Sequence, residues 1–239
     1  MKKILVSDYD MTLKYRNKEL SCEELYNIEK IKEFMDLGNI FMISTTRQYT
    51  SILESLKEYN IPYNYLSCLN SNLLFDYNGN ILSRNDLDSN EKRVIIEELK
   101  DSYYYNPIDY TGYTDEINPI AYSILLKKEG IITLDELPHI IRNKFGYDYY
   151  GRSGYIFSSK RKKDYGVRII SNIENIQLEN IFTVGDEVDD IPMISKYNGY
   201  TLPWGNGTKK YALDIIDSVG DLIDKIENGK GLVRTCHKN

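Results

Sequence analysis

The stretch KILVSDYDMT, at residues 3–12, runs from an apolar segment that favours a buried β-strand directly into two carboxylates. In an open α/β sheet, ligands bind at the carboxyl ends of the strands. Asp8 and Asp10 are two positions apart, and side chains at that spacing leave a strand on the same side. Two carboxylates so close repel each other unless a cation or a shared proton relieves the repulsion. The stretch therefore predicts a metal site, acid–base chemistry, or both.

Strand-like and helix-like segments alternate at both ends of the chain. Apolar residues at helical spacing follow the first strand, and Ser21 and Glu24 form a capping box at the start of that helix. The predicted elements are helices at 20–36, 49–59 and 191–196 and further strands at 39–44 and 180–184. This alternation predicts the α/β class, with a doubly wound, Rossmann-like parallel sheet.

The middle of the chain has a different pattern. Asn78-Gly79 is a hairpin signal, and two rounds of one helix and two strands follow it. The predicted elements are helices at 88–101 and 133–144 and strands at 104–110, 121–127, 147–150 and 155–158. We therefore expect a smaller α+β domain at 84–158, inserted into a core formed by 1–83 and 159–239.

Tyrosine is used heavily, with 22 residues in the chain, and many of them fall in the predicted insertion. Packing on the faces of a sheet is the first explanation, because tyrosine favours β-strands. The alternative is a surface of rings that stacks on a sugar or a base.

Composition excludes several classes of partner. The 239-residue chain has a net charge of −6, whereas binding to the phosphate backbone of a nucleic acid requires a basic face. No apolar run reaches the ~18–20 residues of a membrane span. Asp8 and Asp10 also interrupt what would be the apolar part of a signal peptide. We expect a cytoplasmic protein without nucleic-acid or membrane partners, either a monomer or a homodimer.

Other common sites lack their sequence signals. Cys22, Cys68 and Cys236 are far apart and odd in number, which argues against a disulfide framework or a zinc site. His139 and His237 lie near no nucleophile motif, so a Ser-His-Asp triad has little support. The chain has no phosphate-binding P-loop, and no Gly-x-Gly-x-x-Gly follows the first strand.

Three further segments fit the opening carboxylate pair. The segment 44–47 (STTR) ends the second strand with hydroxyl and backbone N–H groups that can hold a phosphoryl oxygen. The basic cluster 160–163 (KRKK) precedes a helix, and one of its side chains could neutralise a phosphate. The segment 185–190 (GDEVDD) places carboxylates after another strand, and Mg²⁺ prefers such oxygen ligands.

In their order and spacing, these segments resemble the motifs of the haloacid dehalogenase (HAD) superfamily, specifically its Cof-type branch with a C2 cap (subfamily IIB). Residues 8–13 match Asp-x-Asp-x-Thr-Leu, and 44–47 resemble the segment that is usually Thr-Gly-Arg. Residues 163–167 fall where the branch often has Lys-Gly-x-Ala-Leu, and 185–193 resemble Gly-Asp-x-x-Asn-Asp-x-x-Met. The match spans nearly the whole chain.

The resemblance implies a Mg²⁺-dependent phosphatase that hydrolyses small phosphorylated metabolites, such as sugar phosphates, through an aspartyl-phosphate. Asp8 would be the nucleophile, and Asp10 would protonate the leaving alcohol and then activate water. The Asp8 carboxylate, the Asp10 backbone carbonyl and Asp186 would hold Mg²⁺, with Asp190 supporting this metal site.

The same resemblance implies that Thr45, Thr46 and Lys163 bind the phosphoryl oxygens. Asp189 stands at the phosphate-contacting position that is usually Asn, and a carboxylate there would repel phosphate unless it is paired. Met11 replaces a frequent glycine, a change that we expect to be tolerated. A phosphomutase-like phosphotransferase stays open as an alternative, as does a non-catalytic binding or regulatory module. The sequence does not name the substrate.

Overall fold

A computed structural model describes residues 1–15 and 17–228 of the chain. Cys236 and His237 lie outside the described residues. The strands are β1 (Ile4–Ser7), β2 (Ile40–Ser44), β3 (Tyr65–Cys68), β4 (Leu73–Asp76), β5 (Ile81–Arg84), β6 (Tyr103–Ile108), β7 (Ala121–Leu126), β8 (Phe145–Tyr150), β9 (Ser153–Ser158), β10 (Ile181–Gly185), β11 (Asn198–Thr201) and β12 (Asp214–Ile215). The α-helices are α1 (Cys22–Asp36), α2 (Tyr49–Glu58), α3 (Ser89–Leu99), α4 (His139–Lys144), α5 (Lys163–Ile173), α6 (Ile191–Ile194) and α7 (Val219–Asn228).

The chain divides into two compact units. The first unit consists of Met1–Thr45, Leu56–Leu66 and Lys163–Asn239, and the second consists of Thr46–Ser55 and Ser67–Lys162. Each unit therefore contains segments that are distant in sequence. The domain boundaries given above, with a cap at 84–158, stay a prediction.

The first unit is built on a parallel sheet in which β1 lies between β10 and β2. The strand order is β12-β11-β10-β1-β2, and each neighbouring pair is parallel. Ile4 of β1 is opposite Ile181 on one side and Ile40 on the other, and all residues of β1 and β2 are buried. The chain adds strands first on one side of β1 and later on the other, which confirms the predicted doubly wound α/β class.

Helix α1 begins and ends where its local sequence indicates. The Ser21 hydroxyl accepts a hydrogen bond from Glu24 N at 3.1 Å, and the Glu24 carboxylate accepts one from Ser21 N at 2.7 Å. This capping box satisfies backbone donors that the first turn of a helix leaves unpaired. Gly38, with φ +83°, ends the helix in a conformation that few other residues adopt.

In the described part of the chain, no helix has the length and apolar character needed to cross a membrane.

The second unit contains an antiparallel sheet of strand order β6-β7-β9-β8. Helices α3 and α4 contribute Ile95, Leu99 and Ile141 to a core that this sheet completes. The elements follow the predicted order of one helix and two strands, twice. Tyr103 and Tyr122 belong to this core, which supports the packing explanation for those two tyrosines.

The predicted helix at 133–144 is confirmed only over its second half. Residues Leu134–Glu136 form only a 3₁₀ turn, and α4 begins at His139. Pro138 has no backbone N–H to donate, and its ring disfavours a helical conformation at the preceding residue. Leu137 is accordingly extended, with ψ 134°, and separates the two short elements.

Candidate functional site

The site begins where two adjacent parallel strands of the first unit end. Asp8 directly follows β1, and Asp186 directly follows β10. The Asp8 backbone N–H continues the pairing of these strands by donating to the Val184 carbonyl at 2.9 Å. The strands pair in register, with Ser7 opposite Val184, so their carboxyl ends lie at one edge of the sheet.

A buried lysine connects two of the carboxylates. Lys163 Nζ donates to Asp8 Oδ1 and to Asp190 Oδ1, each at 2.6 Å. The side chain of Lys163 is 3% exposed, and those of Asp8 and Asp190 are 7% and 0% exposed. Because solvent hardly screens these charges, the two ion pairs hold Lys163 and the Asp8 carboxylate in a fixed arrangement.

Both carboxylate oxygens of Asp190 have hydrogen-bond donors. Oδ1 accepts from Lys163, and Oδ2 accepts from the backbone N–H groups of Asp186 and Glu187 at 3.0 Å. Gly185 leaves space for this carboxylate, because a Cβ at that position would overlap it. Asp190 therefore holds together the acidic loop, residues 185–190, and orients Lys163.

Thr12 fixes the third carboxylate. Its hydroxyl donates to Asp186 Oδ1 at 2.6 Å, and both residues are buried. This bond joins the loop after β1 to the loop after β10, across 174 positions of sequence. The sequence signal for this residue is its place in the motif at residues 8–13, which by itself indicates no role for Thr12.

The other members of the basic cluster 160–163 have different partners. Lys160 forms ion pairs with Asp88 and Glu91 in the second unit. Arg161 donates to the Ser71 and Arg84 carbonyls of the same unit. Lys162 is exposed. Lys163 is thus the member of the cluster that contacts the acidic residues of the first unit.

Burial controls the charges of the acidic cluster formed by Asp8, Asp186, Asp190 and their partner Lys163. Burial raises the pKa of Asp8 well above its usual value, and the negative charge of Asp190 adds to the rise, while Lys163 opposes it. Burial also raises the pKa of Asp186, to about 6, against the hydrogen bond from Thr12. For Lys163, burial alone would lower the pKa, but the charges of Asp190 and Asp8 outweigh it and raise the pKa. Lys163 therefore stays protonated, but its single positive charge does not balance the negative charge of the three ionised carboxylates.

The donor set suits a divalent metal ion. Asp8, Asp186 and Asp190 are all buried, and a carboxylate oxygen of each lies within 4.8 Å of the others. When ionised they carry three negative charges, and Lys163 neutralises one of them. Carboxylate oxygens are ligands for hard cations, and two units of positive charge would balance the cluster. These residues could therefore hold a metal ion, with Asp8 and Asp186 as its direct ligands because both oxygens of Asp190 are engaged.

Metal binding to this cluster should weaken as the pH falls through about 6, because Asp186 then takes up a proton that the metal must displace. We expect the dissociation constant for Mg²⁺, measured by titration calorimetry, to rise several-fold between about pH 7.5 and about pH 5. The proton released near pH 6 should appear as a difference in heat between two buffers of unlike ionisation enthalpy. Asp214→Asn, at an exposed carboxylate, is the matched control and should leave this dependence unchanged. A dissociation constant independent of pH in this range would contradict the assignment of Asp186.

The remaining predicted site residues are placed as follows. Asp10 is half-buried in the loop after β1, and Thr45 is buried directly after β2, the other neighbour of β1. Asp189 is exposed, although the adjacent Asp190 is buried. Thr46 is half-buried and belongs to the second unit. The catalytic and phosphate-binding roles of these residues stay predictions.

Comparison with known proteins identifies relatives of the chain. The sequence profile of the haloacid dehalogenase-like hydrolases matches residues 5–129. No curated protein sequence matches the chain. The matched region contains β1 and the two carboxylates that follow it.

Solved structures with the same fold cover nearly the whole chain. A HAD/COF-like hydrolase from Plasmodium vivax has a TM-score of 0.73 at 19% identity, over 96% of each chain. The HAD-superfamily phosphatase BT1666 from Bacteroides thetaiotaomicron has a TM-score of 0.71 at 15% identity, over 95% of this chain and 94% of its own. The HAD subclass IIB sugar phosphatase BT4131 has a TM-score of 0.70 at 16% identity, over 94% of this chain and 99% of its own. At these identities the likeness concerns the fold.

Proposed function

We propose that this chain, which belongs to the haloacid dehalogenase-like hydrolase family, is a Mg²⁺-dependent phosphatase of small phosphorylated metabolites. Sugar phosphates are the substrate class to test first, because a structural neighbour is a sugar phosphatase. The proposed reaction proceeds through an aspartyl-phosphate on Asp8. A cytoplasmic location stays part of the proposal.

The buried contact between Lys163 and Asp8 carries this proposal. A carboxylate held at 2.6 Å from an ammonium group is fixed in position, which favours its attack on a phosphorus atom. The same ammonium group would stabilise negative charge on the transferring phosphoryl group. Because phosphoryl transfer depends mainly on positioning and charge stabilisation, this arrangement suits it.

The proposed reaction divides hydrolysis into two steps. In the first, Asp8 attacks phosphorus and forms a bond to it, the bond to the leaving oxygen breaks, and Asp10 gives that oxygen a proton. In the second, Asp10 takes a proton from water, which attacks the phosphoryl group and releases phosphate and Asp8. The resemblance implies that Thr45 and Thr46 donate hydrogen bonds to the phosphoryl oxygens and that Asp189 occupies a further phosphate-contacting position.

A bound Mg²⁺ would neutralise charge on the phosphoryl group and on the cluster. Asp8, Asp186 and the Asp10 backbone carbonyl would hold it, with Asp190 in support. Burial raises the pKa of Asp8 and positive charge lowers it, so a cation beside this carboxylate would favour its ionised, nucleophilic form.

Hydrolysis of p-nitrophenyl phosphate tests this proposal. We expect the protein to release p-nitrophenol and phosphate with Mg²⁺, to lose this activity in EDTA, and to regain it when Mg²⁺ is restored in excess. Equal rates with Mg²⁺ and with EDTA would contradict the proposed metal dependence. A hexose 1-phosphate assayed in parallel distinguishes the alternative, because free phosphate indicates a phosphatase and an isomeric hexose phosphate indicates a mutase.

A further inference from the structure

We propose that Trp204 is a positioning residue, which holds the turn that carries Asp10 and thereby controls proton transfer to the leaving group. This inference rests on the proposed function, in which Asp10 is the general acid. It adds a residue that the proposed reaction does not use, and whose ring lies outside the acidic cluster.

The indole of Trp204 contacts the turn directly after Asp10. Its Nε1–H donates to the Met11 carbonyl oxygen at 2.9 Å. The ring also packs edge-on against Tyr15, with 5.6 Å between the ring centroids and an angle of 81° between the planes. Two contacts from one side chain therefore reach both ends of the segment 11–15.

The Met11 backbone requires such support. Its φ of +59° lies in the left-handed region, where a residue with a side chain is less stable by roughly 1–2 kcal/mol. Strained conformations of this kind persist where the surroundings determine them. Met11 N donates to the Lys14 carbonyl at 2.8 Å, and Trp204 holds the carbonyl at the other end of the residue. Rotation of the Met11 backbone would displace the neighbouring Asp10.

The backbone beside Trp204 is anchored to the acidic loop. Gly205 N donates to the Leu202 carbonyl at 3.0 Å and closes a tight turn around Trp204. A Cβ on Gly205 would overlap the hydroxyls of Thr201 and Thr208, so the turn packs closely against them. The Thr201 hydroxyl in turn donates to the Gly185 carbonyl at 2.9 Å. Trp204 thus relates the position of Asp10 to the loop that carries Asp186.

A general acid matters most when the leaving group is a strong base. An alkyl phosphate releases an alkoxide that needs a proton, whereas p-nitrophenyl phosphate releases a stable phenolate. If Trp204 positions Asp10, loss of its N–H should slow the reaction of alkyl phosphates and spare that of p-nitrophenyl phosphate. A general loosening of the fold would slow both reactions equally.

Because the chain contains a single tryptophan, the indole N–H of Trp204 can be replaced without changing any other residue. Trp204 is the only tryptophan, so growth on 3-benzothienylalanine replaces its indole N–H with sulfur and changes no other residue. We expect kcat/KM for an alkyl phosphate to fall about tenfold, and kcat/KM for p-nitrophenyl phosphate to change less than about twofold. Replacement by a ring-fluorinated tryptophan, which keeps the N–H, is the matched control and should behave like the natural protein. Trp204→Phe should reproduce the pattern, with its urea unfolding midpoint measured alongside.

The two proposals fail in distinguishable ways. An equal loss for both substrates, or no loss for either, would overturn the role of Trp204 while leaving the phosphatase intact. Failure of the natural protein to hydrolyse either substrate with Mg²⁺ would overturn the proposed function and this inference together. If Trp204→Phe does not fold, the sulfur analogue still decides between the outcomes.

Discussion

The Asp8→Asn variant should release no measurable phosphate while keeping at least the stability of the natural protein. An amide cannot accept the phosphoryl group as a carboxylate does, so the first step is lost, with an expected decrease in kcat of about 10³-fold or more. Its stability should not fall, because the amide removes a buried charge. Burial raises the pKa of Asp8, so the metal-free natural protein loses stability as the pH rises through that pKa, and the variant lacks this loss.

Phosphate release with Mg²⁺ measures the first effect. Urea unfolding of the metal-free protein at neutral pH measures the second. Asp214→Asn makes the same chemical change at an exposed carboxylate that pairs with Lys225 and should affect neither property. Turnover within tenfold of the natural protein would exclude Asp8 as the nucleophile. A marked loss of stability would contradict the cost assigned to its buried charge.

Lys163→Met should both inactivate and destabilise the protein. The change leaves the Asp8 and Asp190 carboxylates buried without their common cation, which typically costs about 3–5 kcal/mol. It also removes the ammonium group proposed to stabilise the transferred phosphoryl group, with an expected loss in kcat of about 10²–10³-fold. The destabilisation should be smaller near pH 5 than near pH 7.5, because Asp8 protonates more readily without the lysine.

Lys196→Met is the matched control for this variant. Lys196 pairs with Asp164 at 2.9 Å, but its side chain is 46% exposed, so its loss should change the free energy of unfolding by less than about 1 kcal/mol. Urea unfolding at the two pH values compares the variants. A Lys163→Met protein as stable as the control would mean that the buried ion pairs contribute nothing to folding.

Local sequence determined much of the fold. The apolar strands around β1, the capping box of α1 and the family relationship were all predictable, because each depends on neighbouring residues or on motifs. The HAD relationship and the assignment as a hydrolase are confirmed by the family match. Of the helix predicted at 133–144 only His139–Lys144 is α-helical, since Pro138 interrupts the element that the capping signal predicts.

The candidate site was predictable in its parts and not in its connections. Acidic residues after β1 and β10 pointed to Asp8 and Asp186, and the family resemblance with the helix start at residue 163 pointed to Lys163 within the cluster 160–163. Only the three-dimensional arrangement places Lys163 between Asp8 and Asp190. The hydrogen bond from Trp204 to Met11 joins residues 193 positions apart, and no local sequence pattern predicts it.

The distance in sequence between Asp8 and its partners has a consequence for how the protein is made. Asp8 and Lys163 are 155 positions apart, and β1 pairs with β10, which comes after the whole second unit. A nascent chain that has not reached residue 190 cannot assemble the acidic cluster, whereas the sheet β6-β7-β9-β8 needs only residues 103–158. Pairing across such long loops is slow compared with local pairing. We therefore expect capture of a divalent ion to be among the last events of folding, so that metal retention reports a completed chain.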